Sequence, residues 1–446
     1  MIMTINEQLN EIIENDCDCG RSHKIALPQI IVEKGAIGRI AELVKAHNGK
    51  KVFVLADINT YDCAGKAVCE ALSKAGITYT CYVFPDKALE PDEKAVGSAV
   101  MHFDNKCDIV ISVGSGVLND IGKILSATAR KPYFIVGTAP SMDGYASATS
   151  SMSMDGLKTS LPSKCADVII GDIDVLKNAP MRMLQAGLGD MLAKYVSIAE
   201  WRIAHEITGE YYCEKIADLV RAALKRCVDN AEGLLKREDD AVKAVFEGLV
   251  IGGVAMALAG VSRPASGVEH YFSHVWDMRG LEFGTKVDLH GIQCAVATLI
   301  AARLYEKVLI LAPDKGKALA YAESFSYEKW SEELKEFIGK GADAMIALEQ
   351  KEGKYNVEKH AERLNIILDK WDIICRIIKE EIPSPKEIES ILDKIGAPKT
   401  AKEIGIDCDL FTTFKATKDI RDKYVLSRLL WDLGEIDEFG KMLKKA

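Results

Sequence analysis

The stretch Asp108–Lys123, DIVISVGSGVLNDIGK, decides the fold class that this sequence predicts. Its apolar first part, DIVISVG, indicates a buried β-strand, and the residues after Gly116 have the length and composition of a helix. Gly114, Ser115 and Gly116 form a short turn between the two. A buried strand that leads through a glycine-rich turn into a helix is typical of α/β proteins with a parallel sheet.

The same alternation of strands and helices extends to both sides of this stretch. VFVLAD from Val52, TYTCYVF from Thr78, YFIVGT from Tyr133 and VIIGD from Val168 indicate further buried strands, separated by helix-like segments. SMSMDGLKTSLPS from Ser151 contains the Asp-Gly pair that favours a β-hairpin. Strands that alternate with helices in this way predict βαβ units and a parallel, Rossmann-like sheet.

The second half of the chain has a different pattern. From about Pro180 onward, stretches such as MRMLQAGLGDMLAKYVSIAEWRIAHE and VDLHGIQCAVATLIAARLYEKV have the period and length of helices. Ser384–Glu387, SPKE, is a helix-start signal with an N-cap serine, a proline at the first position and a capping-box glutamate. We therefore predict an α/β domain over residues 1–178, followed by an all-helical domain over residues 179–446.

The composition excludes several classes of function. The chain has a formal net charge of −9, which argues against general nucleic-acid binding because that requires basic patches. The N-terminal residues lack the basic and apolar regions of a secretion signal. The longest uncharged run, Gly248–Ser262, is shorter than the roughly 20 residues that span a bilayer, and it predicts a buried core helix. With twelve scattered cysteines, reduced thiols and a cytoplasmic location are expected.

One group of cysteines stands out near the N-terminus. Cys17, Cys19 and His23 lie together in CDCGRSH, a combination that suggests either a metal site or a loop with small, polarisable side chains. A complete zinc site needs four ligands, and the sequence offers no neighbouring fourth. We therefore interpret this segment as a loop.

The glycine turn after the strand at Asp108 is suited to binding a phosphate group. Gly114 and Gly116 let backbone amides approach a pyrophosphate, and the start of the following helix supplies partial positive charge. Asp57, at the end of VFVLAD, is positioned either to accept hydrogen bonds from a ribose or to cap a helix. The run from Thr138 to Ser147, TAPSMDGYAS, is either a ligand-binding segment at the carboxyl end of a strand or a surface loop.

The helical half contains the strongest candidate for a metal site. Asp190 lies in GLGDMLAK, His270 and His274 lie in GVEHYFSHVWD, and His290 lies in VDLHGIQ. His270 and His274 are one helical turn apart, so they share a face. One aspartate and two histidines leave a coordination position open, which is the pattern of a catalytic divalent metal rather than a structural one.

These motifs together resemble the glycerol-1-phosphate dehydrogenase family, especially its bacterial branch, within the iron-containing alcohol dehydrogenase and dehydroquinate synthase-like superfamily. The resemblance rests on the order and spacing of GSGVLND, TAPSMDGYAS, GLGD, HYFSH and a downstream His290, and it extends from about residue 20 to about residue 300. It implies a dehydroquinate synthase-like fold. One departure is visible, since Ser115 replaces the middle glycine of the family's pyrophosphate turn.

The resemblance also implies roles for individual residues. It implies that the protein binds a dinucleotide, NAD(H) or NADP(H), and one divalent metal. The implied substrate contacts are Asp143, Asp190 and His274, and the implied metal ligands are Asp190, His270 and His290. Asp190 and His274 are the implied catalytic residues. The implied dinucleotide contacts are Asp57, Gly114, Ser115, Gly116, Val117, Leu118, Thr138, Ala139, Pro140, Ser141 and Ser147.

The implied reaction is the reversible reduction of dihydroxyacetone phosphate, a small phosphorylated three-carbon substrate, to sn-glycerol 1-phosphate. The alternatives are a glycerol or other polyol dehydrogenase and a dehydroquinate synthase-like lyase. A phosphate needs a cation in the pocket, and Arg263 is either that cation or half of a surface salt bridge. A non-enzymatic binding protein would have no use for the metal set beside the glycine turn.

The sequence leaves the metal and the cofactor preference open. Asp and His ligands suit Zn²⁺, Ni²⁺ and Fe²⁺ alike. The charge of Asp57 would repel the 2′-phosphate of NADP(H) if it faces the ribose. The family resemblance also implies a homodimer or a larger homo-oligomer, with no membrane span.

Overall fold

The computed structural model of the protein describes residues 5–14, 17–154 and 157–444. The chain divides into two compact units. The first combines Met1–Met191 with Lys215–Ser262, and the second combines Leu192–Glu214 with Arg263–Ala446. The two units therefore alternate along the sequence. The predicted assignment of residues 1–178 and 179–446 to separate functions stays a prediction.

The first unit is built on a six-stranded parallel sheet. The strand order is β1-β8-β5-β4-β2-β3, and each pair of neighbouring strands is parallel. The predicted parallel sheet is thus confirmed. The strands β6 and β7 form a separate antiparallel hairpin, whose predicted Asp155-Gly156 turn lies outside the described residues. The strands are β1 Gln29–Glu33, β2 Lys51–Asp57, β3 Thr78–Phe84, β4 Ile109–Gly114, β5 Tyr133–Gly137, β6 Thr149–Met154, β7 Leu157–Pro162 and β8 Val168–Asp172.

The strand order creates a switch point between β2 and β4. The chain moves outward from β2 to β3 at one edge and then returns to the other side of β2 to form β4. The connections that leave β2 and β4 therefore diverge, which opens a crevice at the carboxyl ends of these strands. In open α/β sheets this crevice is where ligands bind.

Helices make up most of the remaining described residues. The stretch that follows Pro180, which the sequence pattern presents as one long helix, is divided into α8 and α9 at Ala193. The predicted capping box at Ser384 is confirmed at the start of α20. The helices are α1 Ile5–Glu14, α2 Ile40–Ala46, α3 Ile58–Thr60, α4 Lys66–Lys74, α5 Glu93–His102, α6 Gly116–Ala129, α7 Ile173–Leu176, α8 Met181–Leu192, α9 Lys194–Thr208, α10 Glu214–Asp229, α11 Ala231–Leu235, α12 Asp239–Ala259, α13 Val268–Phe283, α14 His290–Val308, α15 Lys315–Glu323, α16 Tyr327–Ile338, α17 Ala342–Glu352, α18 Val357–Asp369, α19 Trp371–Glu381, α20 Pro385–Lys394, α21 Leu410–Thr417, α22 Leu426–Asp432 and α23 Ile436–Leu443.

The apolar helix α12 belongs to the core of the first unit. Phe246 packs where Gly137 of β5 and Gly171 of β8 leave room, since a Cβ at either glycine would lie within 2.8 Å of its ring. Among the described residues α12 alone is long and apolar enough by composition to cross a membrane, yet 83% of that stretch is buried inside the protein. The predicted buried core helix is therefore confirmed.

The second unit contains α9 and α13 to α23, and its described residues include no β-strand. One buried carboxylate, Glu200 of α9, links several of these helices. It accepts hydrogen bonds from the Val268 amide at 2.9 Å, the Leu426 amide at 2.8 Å and the Tyr305 hydroxyl at 3.0 Å. Because a buried carboxyl group is stable only when its oxygens have hydrogen-bond partners, these bonds hold the first residues of α13 and α22 and a side chain of α14 in place.

Candidate active site

Three neighbouring strands of the first unit end in predicted dinucleotide contacts. Asp57 ends β2, Gly114 ends β4 and Thr138 follows β5. The register pairs Leu55 with Ser112 and Gly114 with Gly137, so these ends lie side by side. The Thr138 amide extends this pairing by donating to the Gly114 carbonyl at 3.1 Å. The structure therefore brings the three segments together at the switch point between β2 and β4.

The glycine turn leads directly from β4 into α6. A Cβ at Gly114 would lie 2.7 Å from the Leu118 side chain, so no larger residue fits there. Gly116 is the first residue of α6, and a Cβ there would meet only Met142, at 3.5 Å. Ser115 is the N-cap, but within the described residues its side chain makes no capping hydrogen bond. The first backbone amides of α6 therefore donate no hydrogen bond to the Ser115 side chain, which leaves them available to bind an anion.

Asp57 caps the short helix α3. Its Oδ1 accepts from the Asn59 and Thr60 amides, each at 2.8 Å, and the Thr60 hydroxyl accepts from the Asp57 amide at 3.0 Å. Of the two interpretations that the sequence left open, the structure shows the helix cap. A carboxylate has about four acceptor sites, and Asp57 is only half-buried, so the cap leaves acceptor capacity for a ribose.

The loop from Thr138 to Ser147 is held from one side by α6. The Lys123 ammonium, which is fully buried, donates to the Gly144 carbonyl at 2.6 Å, the Ser147 hydroxyl at 2.9 Å and the Thr149 carbonyl at 3.0 Å. Asn119 donates to the same Gly144 carbonyl at 2.9 Å. Burial lowers the pKa of Lys123, against the opposing effect of Asp120 nearby. The loop is thus built into the protein, and the alternative of a plain surface loop is wrong.

Two glycines let helices approach the other side of this loop. A Cβ at Gly187 of α8 would lie 1.8 Å from the Pro140 carbonyl oxygen, and one at Gly253 of α12 would lie 2.8 Å from the Asp143 carbonyl oxygen. Neither clash is with a flexible side chain, so the backbone itself would have to move. The first glycine of the GLGD motif is therefore explained by close contact between α8 and the loop.

Asp190, which is fully buried in α8, is held in place by the same loop. The Asp143 amide donates to its Oδ2 at 3.0 Å. Two of the residues predicted to contact the substrate, Asp143 and Asp190, are therefore adjacent within the first unit. The bond uses the Asp143 backbone, so it does not depend on the Asp143 carboxylate, which is half-buried.

The predicted histidines lie together in the second unit. The rings of His270 and His290 are 5.0 Å apart between centroids, and those of His274 and His290 stack at 6.0 Å. His270 is bound through Nδ1 to Glu269 Oε1 at 2.8 Å. A neighbouring carboxylate that accepts from one ring nitrogen directs the other nitrogen, Nε2, toward a metal.

A cysteine that the sequence analysis did not consider lies beside these histidines. The Cys294 thiol is buried, 3.6 Å from His290 Nε2, and the ligand atoms of His270, His290 and Cys294 all lie within 4.8 Å of one another. Burial raises the pKa of Cys294, but the two histidines outweigh it and the net shift is downward. His290 Nδ1 is in hydrogen-bond contact with the Ser273 hydroxyl at 2.8 Å. The donor set is one that suits a divalent transition metal.

Other functional residues were missed or misplaced by sequence reasoning. Glu269 has a visible signal, because it directly precedes His270 in an otherwise apolar turn. Lys123 has none, since a lysine in a helix is usually solvated. Arg263 does form an ion pair, with Glu210 at 2.5 Å, but it is fully buried, so its interpretation as a surface salt bridge is wrong about the location. Its Nη1 donates to the Tyr424 carbonyl at 2.8 Å.

Comparison with known proteins places the chain in a family. The family model described as iron-containing alcohol dehydrogenase matches residues 31–180. A glycerol-1-phosphate dehydrogenase [NAD(P)+] of Geobacillus thermodenitrificans is 30% identical over 410 residues, which cover 90% of this chain and 92% of that protein. The enzyme of the same name from Pyrococcus furiosus is 35% identical over 278 residues, or 62% of this chain and 78% of that protein.

Solved structures with lower sequence identity share the fold. The glycerol dehydrogenase of Schizosaccharomyces pombe has a TM-score of 0.60 and 17% identity, covering 96% of this chain and 94% of that chain. The NADH-dependent butanol dehydrogenase A of Thermotoga maritima has a TM-score of 0.57 and 16% identity, covering 93% and 97%. The predicted fold class, an α/β region with a parallel sheet followed by a mostly helical region, is confirmed. The chain belongs to the glycerol-1-phosphate dehydrogenase family of the iron-containing alcohol dehydrogenases.

Proposed function

We propose that the protein is a metal-dependent, NAD(P)-linked glycerol-1-phosphate dehydrogenase. It converts dihydroxyacetone phosphate, NAD(P)H and a proton into sn-glycerol 1-phosphate and NAD(P)⁺, and catalyses the reverse reaction. The observation that carries this proposal is the 30% identity with a protein of that name over 92% of its length. The arrangement of the predicted site residues supports it.

The dinucleotide binds at the carboxyl ends of β2, β4 and β5. Gly114 to Leu118 receive the pyrophosphate on the amides at the start of α6, where no side chain of the described residues caps the helix. Thr138 to Ser141 line the next strand end. Asp57 accepts from the ribose through acceptor sites that its helix cap leaves unused. The Ser147 hydroxyl is bonded to Lys123 and to the Thr149 carbonyl, so its part is to position the loop.

The metal ligands are Asp190, His270 and His290. Asp190 is fixed by the Asp143 amide and His270 by Glu269, so both are oriented before any ion binds. Because these two side chains are already held in place, they lose less conformational entropy when the ion binds. Cys294 stands one helical turn from His290 and is a fourth donor that a thiophilic ion such as Zn²⁺ would accept.

Each group in the site has a separate task in the reaction. When bound, the metal supplies Lewis-acid stabilisation of the oxygen on C2, and the nicotinamide supplies or accepts the hydride. Asp143 and Asp190 orient the substrate. His274, which is half-buried beside His290, exchanges a proton with a substrate hydroxyl. Within the first unit, the packed loop, held by Lys123, Gly187 and Gly253, keeps Asp143 and Asp190 at a fixed distance from each other.

The substrate phosphate needs a cation, and Lys423 is the residue that we assign to it. Its ammonium donates to the Ser266 hydroxyl at 2.6 Å and carbonyl at 3.0 Å, two residues before α13 begins. Within the described part of the chain it forms no ion pair with a carboxylate, unlike Arg263. Desolvation, with Arg263 nearby, lowers the pKa of Lys423 to about 7. A dianionic phosphate would stabilise its charged form.

The proposal includes a cytoplasmic location and assembly into a homodimer or larger homo-oligomer. A glycerol dehydrogenase is the second candidate, because the S. pombe protein of that name shares the fold. A pocket without a phosphate-binding cation would favour it. The two candidates therefore differ in whether the wild-type protein prefers a phosphorylated substrate.

A substrate panel tests the proposal. Wild-type protein and Lys423→Met are assayed by NADH and NADPH absorbance with dihydroxyacetone phosphate and with dihydroxyacetone, in the presence of added Zn²⁺ or Ni²⁺. We expect the wild type to prefer the phosphorylated substrate by roughly 10²-fold in kcat/KM, because one charged contact is worth about 3 kcal/mol. The variant should lose that preference. The control Lys379→Met changes an exposed lysine of α19 and should keep it.

Equal efficiency of the wild type on both substrates would refute the glycerol-1-phosphate dehydrogenase assignment and favour glycerol dehydrogenase. An unchanged preference in Lys423→Met would refute only the assignment of the phosphate to that lysine.

A further inference from the structure

The N-terminal segment Cys17–His23 forms a small cluster of metal-binding side chains within the first unit. The ligand atoms of Cys17, Cys19 and His23 all lie within 4.8 Å of one another. The Cys19 sulfur is 3.3 Å from His23 Nε2. None of these residues belongs to the proposed active site. A cavity of about 400 Å³, lined by Cys17, Arg21 and His23 among others, opens beside them and gives an ion a path of entry.

His23 is buried and oriented as a metal-binding histidine is. Only 3% of its surface is exposed, although the loop around it is largely exposed. Its Nδ1 lies 3.3 Å from the Leu258 carbonyl oxygen. A proton on Nδ1 satisfies that carbonyl and leaves the lone pair of Nε2 directed toward Cys19. Metal-binding histidines are usually fixed in this way, by a bond from the second ring nitrogen to a carbonyl or carboxylate.

The distances agree with those of a tetrahedral zinc ion. With Zn–N at 2.0–2.1 Å and Zn–S near 2.3 Å, two ligand atoms stand about 3.6 Å apart for a nitrogen–sulfur pair and about 3.8 Å apart for two sulfurs. The contact of 3.3 Å between Cys19 and His23, and the limit of 4.8 Å for the set, need only small adjustments to reach these values. Two thiolates and one imidazole also match the ligand preference of Zn²⁺.

We propose that Cys17, Cys19 and His23 bind a structural zinc ion, separate from the catalytic metal. This revises the interpretation of the segment as a plain loop. The ion fastens the N-terminal segment to the end of α12, where Arg21 also donates to the Ala259 carbonyl at 3.4 Å. The carbonyls of a last helical turn lack partners within the helix, so this contact stabilises the end of α12.

The zinc ion at the N-terminal segment also affects the loop from Thr138 to Ser147. α12 packs through Gly253 against the backbone of Asp143 and Ala146. An ion at the N-terminal segment therefore stabilises a helix that supports the loop from Thr138 to Ser147. Its role is structural, since none of its three ligands is among the residues assigned to cofactor or substrate.

A fourth ligand completes the tetrahedron, either a water molecule or another cysteine. Among the buried cysteines, Cys227 donates to the Ala244 carbonyl at 3.2 Å and Cys294 lies beside His290. The others are Cys69, Cys107 and Cys213. Serine variants of these three identify a fourth thiolate by weakened zinc binding. If none of them weakens it, the fourth ligand is water.

The test counts zinc by mass spectrometry in full-length protein reconstituted with Zn²⁺ and freed of excess. Wild type should hold two ions per chain. Cys19→Ser should hold one, His270→Ala should hold one, and the double variant should hold none. Cys63→Ser, which changes an exposed cysteine, is the matched control and should hold two. The difference of one ion between His270→Ala and the double variant depends neither on activity nor on the assignment of the catalytic metal, so a failure of the proposed function would not affect that comparison.

A second measurement covers the case in which Cys19→Ser does not fold. Folded His270→Ala is loaded with Co²⁺, and a sulfur-to-cobalt charge-transfer band should appear that His23→Ala/His270→Ala lacks. A mercurial reagent added to zinc-loaded His270→Ala should release one zinc ion to a chelating dye. A His270→Ala protein that holds no zinc, or a double variant that holds as much as the single one, would overturn the proposal.

Discussion

Replacing Gly187 by alanine tests whether the loop from Thr138 to Ser147 is positioned by direct backbone contact with α8. The added Cβ would lie 1.8 Å from the Pro140 carbonyl oxygen, whereas ordinary contacts begin at 3.4 Å. The helix and the loop must therefore separate by about 1.6 Å. The bond of 3.0 Å from the Asp143 amide to Asp190 spans the same gap and would exceed the hydrogen-bond range.

The size of the effect follows from this displacement. A misplacement of about 1 Å in a catalytic group can cost roughly 10²-fold in rate, so Gly187→Ala should lower kcat/KM by about that factor or more. Overpacking also costs typically 1–3 kcal/mol of unfolding free energy, a loss that a chain of this size survives. The variant should therefore be folded and poorly active.

The assay combines steady-state kinetics, followed by NADH absorbance, with urea unfolding. Gly97→Ala in α5 is the matched control, since a Cβ there meets no described atom within 4 Å and alanine favours a helix by up to about 1 kcal/mol. It should keep full activity. A Gly187→Ala protein with wild-type kcat/KM would refute the claim that this contact positions Asp190 for the proposed reaction.

Three further predictions concern other parts of the site. Gly116→Val should raise the KM for the dinucleotide steeply in initial-rate assays while the protein remains folded, because the side chain blocks approach to the α6 amides; an unchanged KM would mean that the turn is only structural. Glu269→Gln should weaken metal affinity by about 10- to 100-fold in a chelator competition assay, since His270 loses the carboxylate that orients it; full affinity would contradict this role. Burial, reinforced by Glu269, raises the pKa of Glu200 to about 8 from an ordinary value of 4.5, so folding takes up a proton. The free energy of unfolding should therefore fall as pH rises from about 5 to 8, by at most about 1.4 kcal/mol per pH unit, and Glu200→Gln should flatten that slope in urea titrations.

Local sequence patterns were sufficient to predict the sheet and the strand ends at which we propose that the dinucleotide binds. The apolar run that ends at Gly114 and the glycines that follow define both a buried strand and a helix start. Five of the six parallel strands were visible as short apolar runs, and the carboxyl end of each is fixed by the direction of the chain. Asp57 could be placed at such an end but not assigned, because a helix cap and a ribose contact both require an acceptor there.

Long-range contacts could not be predicted from the sequence. The buried Lys123 is in a helix where solvation is the usual expectation, and its partners lie more than twenty residues away. Arg263 binds Glu210, which lies 53 residues earlier in the sequence. This ion pair allows the arginine to be buried, whereas its charge alone predicts an exposed side chain. Cys294, by contrast, lies one helical turn after His290, so this spacing was visible in the sequence, and the structure adds that the thiol is buried beside the histidine ring. Periodicity indicates the face on which a residue lies but not what that face contacts.

We propose that this protein reduces dihydroxyacetone phosphate to the 1-phosphate enantiomer of glycerol phosphate. The most direct test is to identify the enantiomer formed by the metal-loaded protein with NADH or NADPH, using an enzyme specific for sn-glycerol 3-phosphate together with chiral chromatography. We expect sn-glycerol 1-phosphate as the product, with no activity after the metal is removed by a chelator and recovery when Zn²⁺ or Ni²⁺ is added. Formation of sn-glycerol 3-phosphate, or full activity in metal-free protein, would contradict it.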